Sequence, residues 1–249
     1  MSVPLAIVDA APIVREHEGV AVVRDDLFPG GSKARFLPLL FEGCAELVYA
    51  SPAEGGAQTA IATVAQQLGK RCSIFVAKRQ QPHDRALMAK RLGAQIWQVS
   101  PGYLTTVQAR ARQYAEVNHA AGARLLPFGL AVPGAEAILA AAARSLGLDP
   151  RWVWCAAGSG LLARGLRLAW PKATICRVRV GRPLELMPPA GVETFLAPER
   201  FGQACKARPP FPSDPHYDAK AWAMMQRQRA DPRWREGCVF WNVTGPAAP

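Results

Sequence analysis

Three features of this sequence predict an α/β fold of open parallel sheets with helices on both faces. Strand-like and helix-like segments alternate over most of the chain, and the helix-like ones close on glycines such as Gly69, Gly93, Gly122 and Gly147. At 249 residues and 50% hydrophobic, the chain can bury a full core as one large domain or two small ones. Strands that alternate with helices form parallel sheets covered on both sides.

The elements follow in order. Residues 20–23 are apolar and β-prone and read as a strand. Residues 46–51 read as a buried strand ending in a loop. Gly55-Gly56 opens a helix over 57–68, which Gly69 closes. Residues 72–77 form the next strand. Asp84 caps a helix through Arg91 to Gly93, with Arg85, Lys90 and Arg91 on its wet side. A strand at 95–99 leads to a helix of basic and small residues over 105–121. Residues 124–128 read as a strand, 134–146 as an alanine-rich helix, 153–156 as a strand, 161–169 as a helix and 174–180 as a strand. Residues 182–215 are proline-rich and read as a long irregular excursion. A helix over 217–229 and a β-prone run at 239–243 complete the chain.

Composition narrows the function. The six cysteines are scattered without a C-x-x-C pair, which fits reduced thiols and a cytoplasmic setting better than a disulfide frame. The four histidines are scattered too, so no metal site is expected. No apolar run is long enough to span a bilayer, and the N-terminus lacks a signal-peptide pattern. The net charge of +11 suits a polyanionic partner such as nucleic acid, and equally a merely basic soluble enzyme.

The chain is organised around residues 24–35, where Gly30-Gly31-Ser32 precedes Lys33 at the start of an apolar segment. A lysine desolvated there becomes a usable amine that forms a Schiff base with an aldehyde. Taken alone, Lys33 reads as a solvated lysine after a turn, so chemistry rests on the downstream motifs. Gly158-Ser159-Gly160 lies between a strand and a helix start, where bare backbone N–H groups cradle a phosphate or simply turn the chain. No lysine follows it as in a nucleotide-binding P-loop. Ser51 to Thr59 is a second small-residue loop at a helix N-terminus and can receive a carboxylate, with Glu54 as a repelling group or a plain first-turn glutamate. In Asp214 to Lys220, with Thr244 beyond, an aspartate or threonine can hold a ring nitrogen; Tyr217 reads equally as core and Asp218 as a helix cap.

Together these motifs resemble the fold type II pyridoxal-phosphate enzymes, the tryptophan synthase β-like group. They are most similar to its aminocyclopropane-carboxylate deaminase and D-cysteine desulfhydrase branch. Arg24-Asp25-Asp26-Leu27 with Gly30 to Arg35 resembles R-D-D-L…G-G-N-K-x-R. Pro127-Phe128-Gly129 resembles P-x-G, and Ala157 to Gly160 with Gly165-Leu166 resembles G-S-G-G-T-x-x-G-L. Asp214 to Lys220 resembles D-P-V-Y-x-x-K, and Val243-Thr244-Gly245 resembles a terminal T-G-G. The matches run in order from about residue 20 to the end.

The resemblance implies a pyridoxal 5′-phosphate cofactor bound covalently by Lys33, its phosphate held by Gly158, Ser159, Gly160 and the amide of Leu161. Tyr217 would sit against it, and Asp218, in preference to Thr244, would hold its ring nitrogen, because an acid keeps the ring protonated. Ala53, Glu54, Gly55, Gly56 and Ala57 would form the substrate loop. The sequence departs from the branch at four positions: Gly56 stands for its asparagine, Ala53 and Glu54 for its serines, and Leu162 for the threonine after the phosphate loop. The resemblance further implies a larger lobe of residues 1–45 and 123–249, a smaller lobe of 46–122, and a homodimer. Three activities follow in order of preference. The first is a lyase, favoured as a decarboxylase with Lys33 and Glu54 catalytic, acting on an amino acid attached to thymidine in viral (phage) DNA within the host cytoplasm. Charge and the basic helix carrying Arg110 and Arg112 motivate it. The second is a deaminase or desulfhydrase of a free small amino acid. The third is a non-catalytic nucleic-acid-binding protein on a degenerate scaffold.

Overall fold

The computed structural model describes residues 10–181 and 188–246; residues 182–187 of the expected proline-rich excursion and 1–9 of the expected larger lobe lie outside the described residues. Two compact units result. Among the described residues one holds 33–130, and the other holds 10–32 with 131–246. These boundaries differ from the expected 45/46 and 122/123. Residues 33–45 and 123–130 go with the first unit because helix α1 (Leu37–Leu40) contacts α2 (Ala57–Gln67) and strand β6 (Ala123–Leu125) pairs with β3 (Glu46–Ala50).

The first unit carries a parallel sheet in the order β5-β4-β3-β6, with β4 at Arg71–Ala77 and β5 at Gln95–Val99. Alternate side chains reach opposite faces of a strand. Val48, Ala50, Phe75 and Val99 therefore meet Val107, Ala111 and Ala115 of α4 (Leu104–Val117) on one face. Helix α2 packs on β4, and α3 (Asp84–Arg91) packs on α2.

The second unit carries a six-stranded sheet in the order β1-β2-β10-β7-β8-β9. The strands are Val14–His17, Val20–Arg24, Cys238–Asn242, Trp152–Ala157, Thr174–Arg179 and Val192–Leu196 respectively. All pairs are parallel except β1 with β2. Val153 and Cys155 of β7 enter one core with α5 (Ala135–Arg144) and α6 (Leu161–Ala169); Trp154 and Ala156 enter the other with α7 (Asp218–Gln228). Burial on both faces explains why these strands read as unbroken apolar runs. Gly165 lets α5 and α6 close up, since a Cβ there would stand 2.8 Å from Leu139 Cβ.

Several expectations are corrected. The helix expected over 105–121 ends at Val117, and a 3-10 turn, His119–Ala121, follows it. Asn118 interrupts it by donating its side-chain amide to Tyr114 O at 2.8 Å. The strand expected over 124–128 stops at Leu125. The Leu126 amide still reaches Val48 O at 2.8 Å, but Pro127 has no N–H and Gly129 turns at φ +80°. Within the proline-rich stretch, Val192–Leu196 adds a parallel edge strand, as its β-branched and aromatic residues allow. β1 had no sequence signal because its residues are mostly exposed. Among the described residues no helix is long and apolar enough to cross a membrane, and no cluster of potential metal ligands occurs.

The buried thiols and phenols set the alkaline limit. Burial, followed by the Glu46 charge, pushes Cys72 from 9.0 up to about 12; burial, followed by the Asp218 charge, does the same for Cys155. Burial takes Tyr49 from 10.0 to about 12. Above the ordinary values the unfolded chain gives up protons that the folded chain keeps, so stability falls as pH rises. The urea midpoint is therefore expected to drop continuously from about pH 9 to about pH 12. A flat midpoint over that window would contradict this.

Candidate active site

Strands β2, β10 and β7 are adjacent and parallel, so their C-terminal ends reach one edge of the second unit's sheet. Such an edge is where open parallel sheets bind ligands. β2 delivers the turn that leads to Lys33, β10 delivers Val243 and Thr244, and β7 delivers Gly158.

The turn after β2 is tightly built. Arg24 makes a bidentate pair with Asp26, Nε to Oδ1 at 2.8 Å and Nη2 to Oδ2 at 2.7 Å, and both side chains are buried. Asp25 has 0% exposure. Its Oδ2 accepts the Ser32 hydroxyl at 2.6 Å and the Trp241 indole N–H at 2.9 Å; the same N–H lies 3.0 Å from Ser32 Oγ. Gly30 and Gly31 take φ of +88° and +67°. The Gly31 amide donates to Phe28 O at 2.7 Å and the Ser32 amide to Val243 O at 3.3 Å. A Cβ at Gly31 would fall 2.3 Å from Val243 O, so the position admits only glycine. Lys33, the next residue and half-buried, begins the first unit's share of the chain.

At the end of β7, Gly160 turns at φ +76° into α6, whose N-terminus has no side-chain cap. The Gly158 amide donates to the Tyr217 hydroxyl at 3.0 Å, and that hydroxyl lies 3.4 Å from Ala156 O, to which it donates. Burial, then the Asp218 charge, raises the Tyr217 pKa, which keeps the phenol protonated. The Gly158 amide is thus spent on tyrosine. Arg164 donates to Ser159 O at 3.2 Å and pairs with Glu136 at 2.6 Å.

Residues 214–220 lock against the end of β10. The Asp214 amide donates to Thr244 O at 3.2 Å, and Asp214 Oδ1 accepts the His216 amide at 2.7 Å. Asp218, fully buried at the start of α7, accepts the Thr244 amide on Oδ2 at 3.1 Å. Buried Lys220 donates to Arg200 O at 2.8 Å. Gly158, Tyr217, Asp218 and Thr244 therefore come together in the second unit, with Ser159, Gly160 and Leu161 following Gly158 in the loop.

The remaining candidates lie in the first unit, after β3. Ala53 is buried, and Gly56 and Ala57 begin α2. A Cβ at Gly55 would stand 2.6 Å from Ser51 Oγ. Gln58, fully buried, donates to Pro52 O at 2.8 Å and Ala53 O at 2.9 Å. Glu54 pairs with Arg79 at 2.9 Å, which neutralises it. Asp25, Trp241, Arg79, Gln58 and Lys220 were given no role on sequence: a tryptophan in an apolar strand looks like core, and Arg79 lies 25 residues from its partner.

A family model described as pyridoxal-phosphate dependent enzyme matches residues 7–189. This chain belongs to that family. No curated protein sequence matches it. The fold is that of the fold type II enzymes. An aminocyclopropane-carboxylate deaminase homologue superposes with a TM-score of 0.80 at 16% identity, covering 96% of this chain and 90% of that one. An O-acetylserine-dependent cystathionine β-synthase from Helicobacter pylori gives 0.68 at 17%, covering 100% and 96%. A diaminopropionate ammonia lyase from Escherichia coli gives 0.60 at 18%, covering 92% and 78%.

The second unit's donor set fits pyridoxal phosphate. An uncapped helix N-terminus after a glycine turn suits a dianionic phosphate, and a buried carboxylate suits a protonated pyridine nitrogen.

Gly31→Ala is expected to lose about 2 kcal/mol or more in urea unfolding, because left-handed strain adds to the clash. Gly69→Ala is the control: its φ is +61° but nothing lies within 4 Å of a Cβ. It should cost about 1 kcal/mol from strain alone. Equal losses in the two variants would rule out the contact with Val243.

Proposed function

We propose that this protein is a pyridoxal-phosphate-dependent lyase that acts on the amino-acid group of its substrate, with Lys33 as the amine that binds the cofactor. The observation that carries it is the fully buried Asp218 beside Thr244, in a chain whose turn before Lys33 is braced on the same strand end. When bound, the cofactor supplies an electron sink for bonds at the substrate α-carbon. The N-terminus of α6, with the amides of Ser159, Gly160 and Leu161, binds the phosphate, while the Gly158 amide is held by Tyr217. Asp218 holds a proton at the ring nitrogen, and Tyr217, protonated and tied to Gly158, shapes the wall. Lys33 moves the proton at the α-carbon.

The substrate we propose is an amino acid attached to thymidine in viral DNA, and the reaction decarboxylation. The Cα–carboxylate bond breaks, carbon dioxide leaves, and Lys33 protonates the α-carbon. A net charge of +11, solvent-facing Arg110 and Arg112, and a substrate loop without the branch's serines and asparagine support this reading. Glu54 acts on the substrate carboxylate only when its pair with Arg79 parts; its side chain is 11% exposed, so parting leaves a mostly buried charge, the ground-state destabilisation this reading requires. The working form is a homodimer in the host cytoplasm. The names of the similar structures favour a second reading, deamination or desulfhydration of a free small amino acid.

Nucleoside mass spectrometry of modified DNA incubated with protein and pyridoxal phosphate should show loss of one carbon dioxide. Lys33→Ala should slow it by about 10²-fold or more. Release of ammonia or sulfide from free amino acids, with DNA untouched, would select the second reading. Affinity for duplex DNA should fall steeply between about 50 and 200 mM salt. A shallow dependence would remove DNA as the substrate.

A further inference from the structure

We propose that Asp25 is a positioning residue for the Lys33 amine. The inference rests on the reading of Lys33 as the cofactor-binding lysine. Two consecutive left-handed glycines give the turn no side chains with which to brace itself. The brace comes from outside. One Asp25 oxygen takes both the Ser32 hydroxyl and the Trp241 indole. Ser32 immediately precedes Lys33, and Trp241 lies on the strand that runs on to Thr244. The carboxylate thus ties the segment that carries Lys33 to the segment whose amide Asp218 holds.

A carboxylate at 0% exposure is costly, and a well-packed apolar residue would serve stability as well or better. Here two of its donors come from the lysine turn and the β10 strand end. The 158–160 turn is built on Gly160 and on the bond from Gly158 to Tyr217, so loss of Asp25 should move the amine and leave phosphate binding alone.

The test separates the two. Wild type and Asp25→Ala are mixed with pyridoxal 5′-phosphate and reduced with borohydride, and the fraction of Lys33 peptide carrying the label is followed in time by mass spectrometry. Pyridoxamine 5′-phosphate, which lacks the aldehyde, is titrated in parallel by calorimetry. Asp25→Ala is expected to label Lys33 about tenfold to a hundredfold more slowly, because small displacements of a reacting group carry penalties of that size. Its affinity for pyridoxamine phosphate should stay within about twofold, less than one lost hydrogen bond would cause. Labelling at the wild-type rate overturns the proposal, as does a parallel loss of labelling and affinity, which marks general collapse. Should Asp25→Ala fail to fold, Ser32→Ala and Trp241→Phe are scored by the same criteria. Wild type that labels some other lysine overturns the reading of Lys33 as well, a result visible before any variant is made.

Discussion

The buried carboxylate of Asp25 is the constraint that joins the turn before Lys33 to strand β10. Desolvating a charge costs several kcal/mol unless short hydrogen bonds offset it. Asp25 has such bonds, and their donors are not local: Ser32 lies seven residues away and Trp241 lies 216 away. The same few atoms thus satisfy a charge, close the turn before Lys33 and register that turn on β10. Asp26 shares none of this work, being occupied by Arg24 in its own bidentate pair. Two adjacent aspartates in the sequence therefore have separate duties.

Parallel pairing explains why few residues are needed. Because β2, β10 and β7 run the same way side by side, each hands its next residue to the same edge. The 158–160 turn, the Thr244 backbone and the turn before Lys33 follow their strands at that edge without long loops. α7 then enters beneath, and its first residue, Asp218, closes on Thr244 while the preceding Tyr217 closes on Gly158. Tyr217 thereby trades freedom as an acid or base for a fixed place at the loop. Its raised pKa follows from the same enclosure.

Most of the architecture was legible in the sequence because the strands are buried on both faces and helices close on glycine. Legibility failed wherever a partner was remote or a signal was polar. β1 exposes most of its residues, and β9 lies among prolines that read as loop. Asn118 broke a helix through one side-chain bond that no periodicity reveals. At the site, the glycines and the lysine announced themselves by spacing. Asp25 stood inside a quoted motif without a role, since its function is defined by an indole at the far end of the chain. Glu54 was legible as a carboxylate at a helix start, but its neutralisation by Arg79 belongs to the next loop.

The two ligand-facing regions also differ in how they are fixed. In the second unit Asp25 and Asp218 are fully buried, and Tyr217 and Thr244 are each held by two hydrogen bonds, while Ser159 on the turn before α6 stays exposed. The loop after β3 is anchored from below by buried Gln58, yet its one charge points to an arginine with a side chain 47% exposed. Arg79 can leave for solvent, but the Glu54 carboxylate is only 11% exposed and needs a replacement partner when it does, so the pair yields to a ligand that supplies one. A cofactor is a constant and favours rigid recognition; a substrate that changes in evolution favours an exchangeable pair. Three of the four departures from the motifs this chain resembles, Ala53, Glu54 and Gly56, lie in the loop that carries this pair, and the fourth, Leu162, lies in α6.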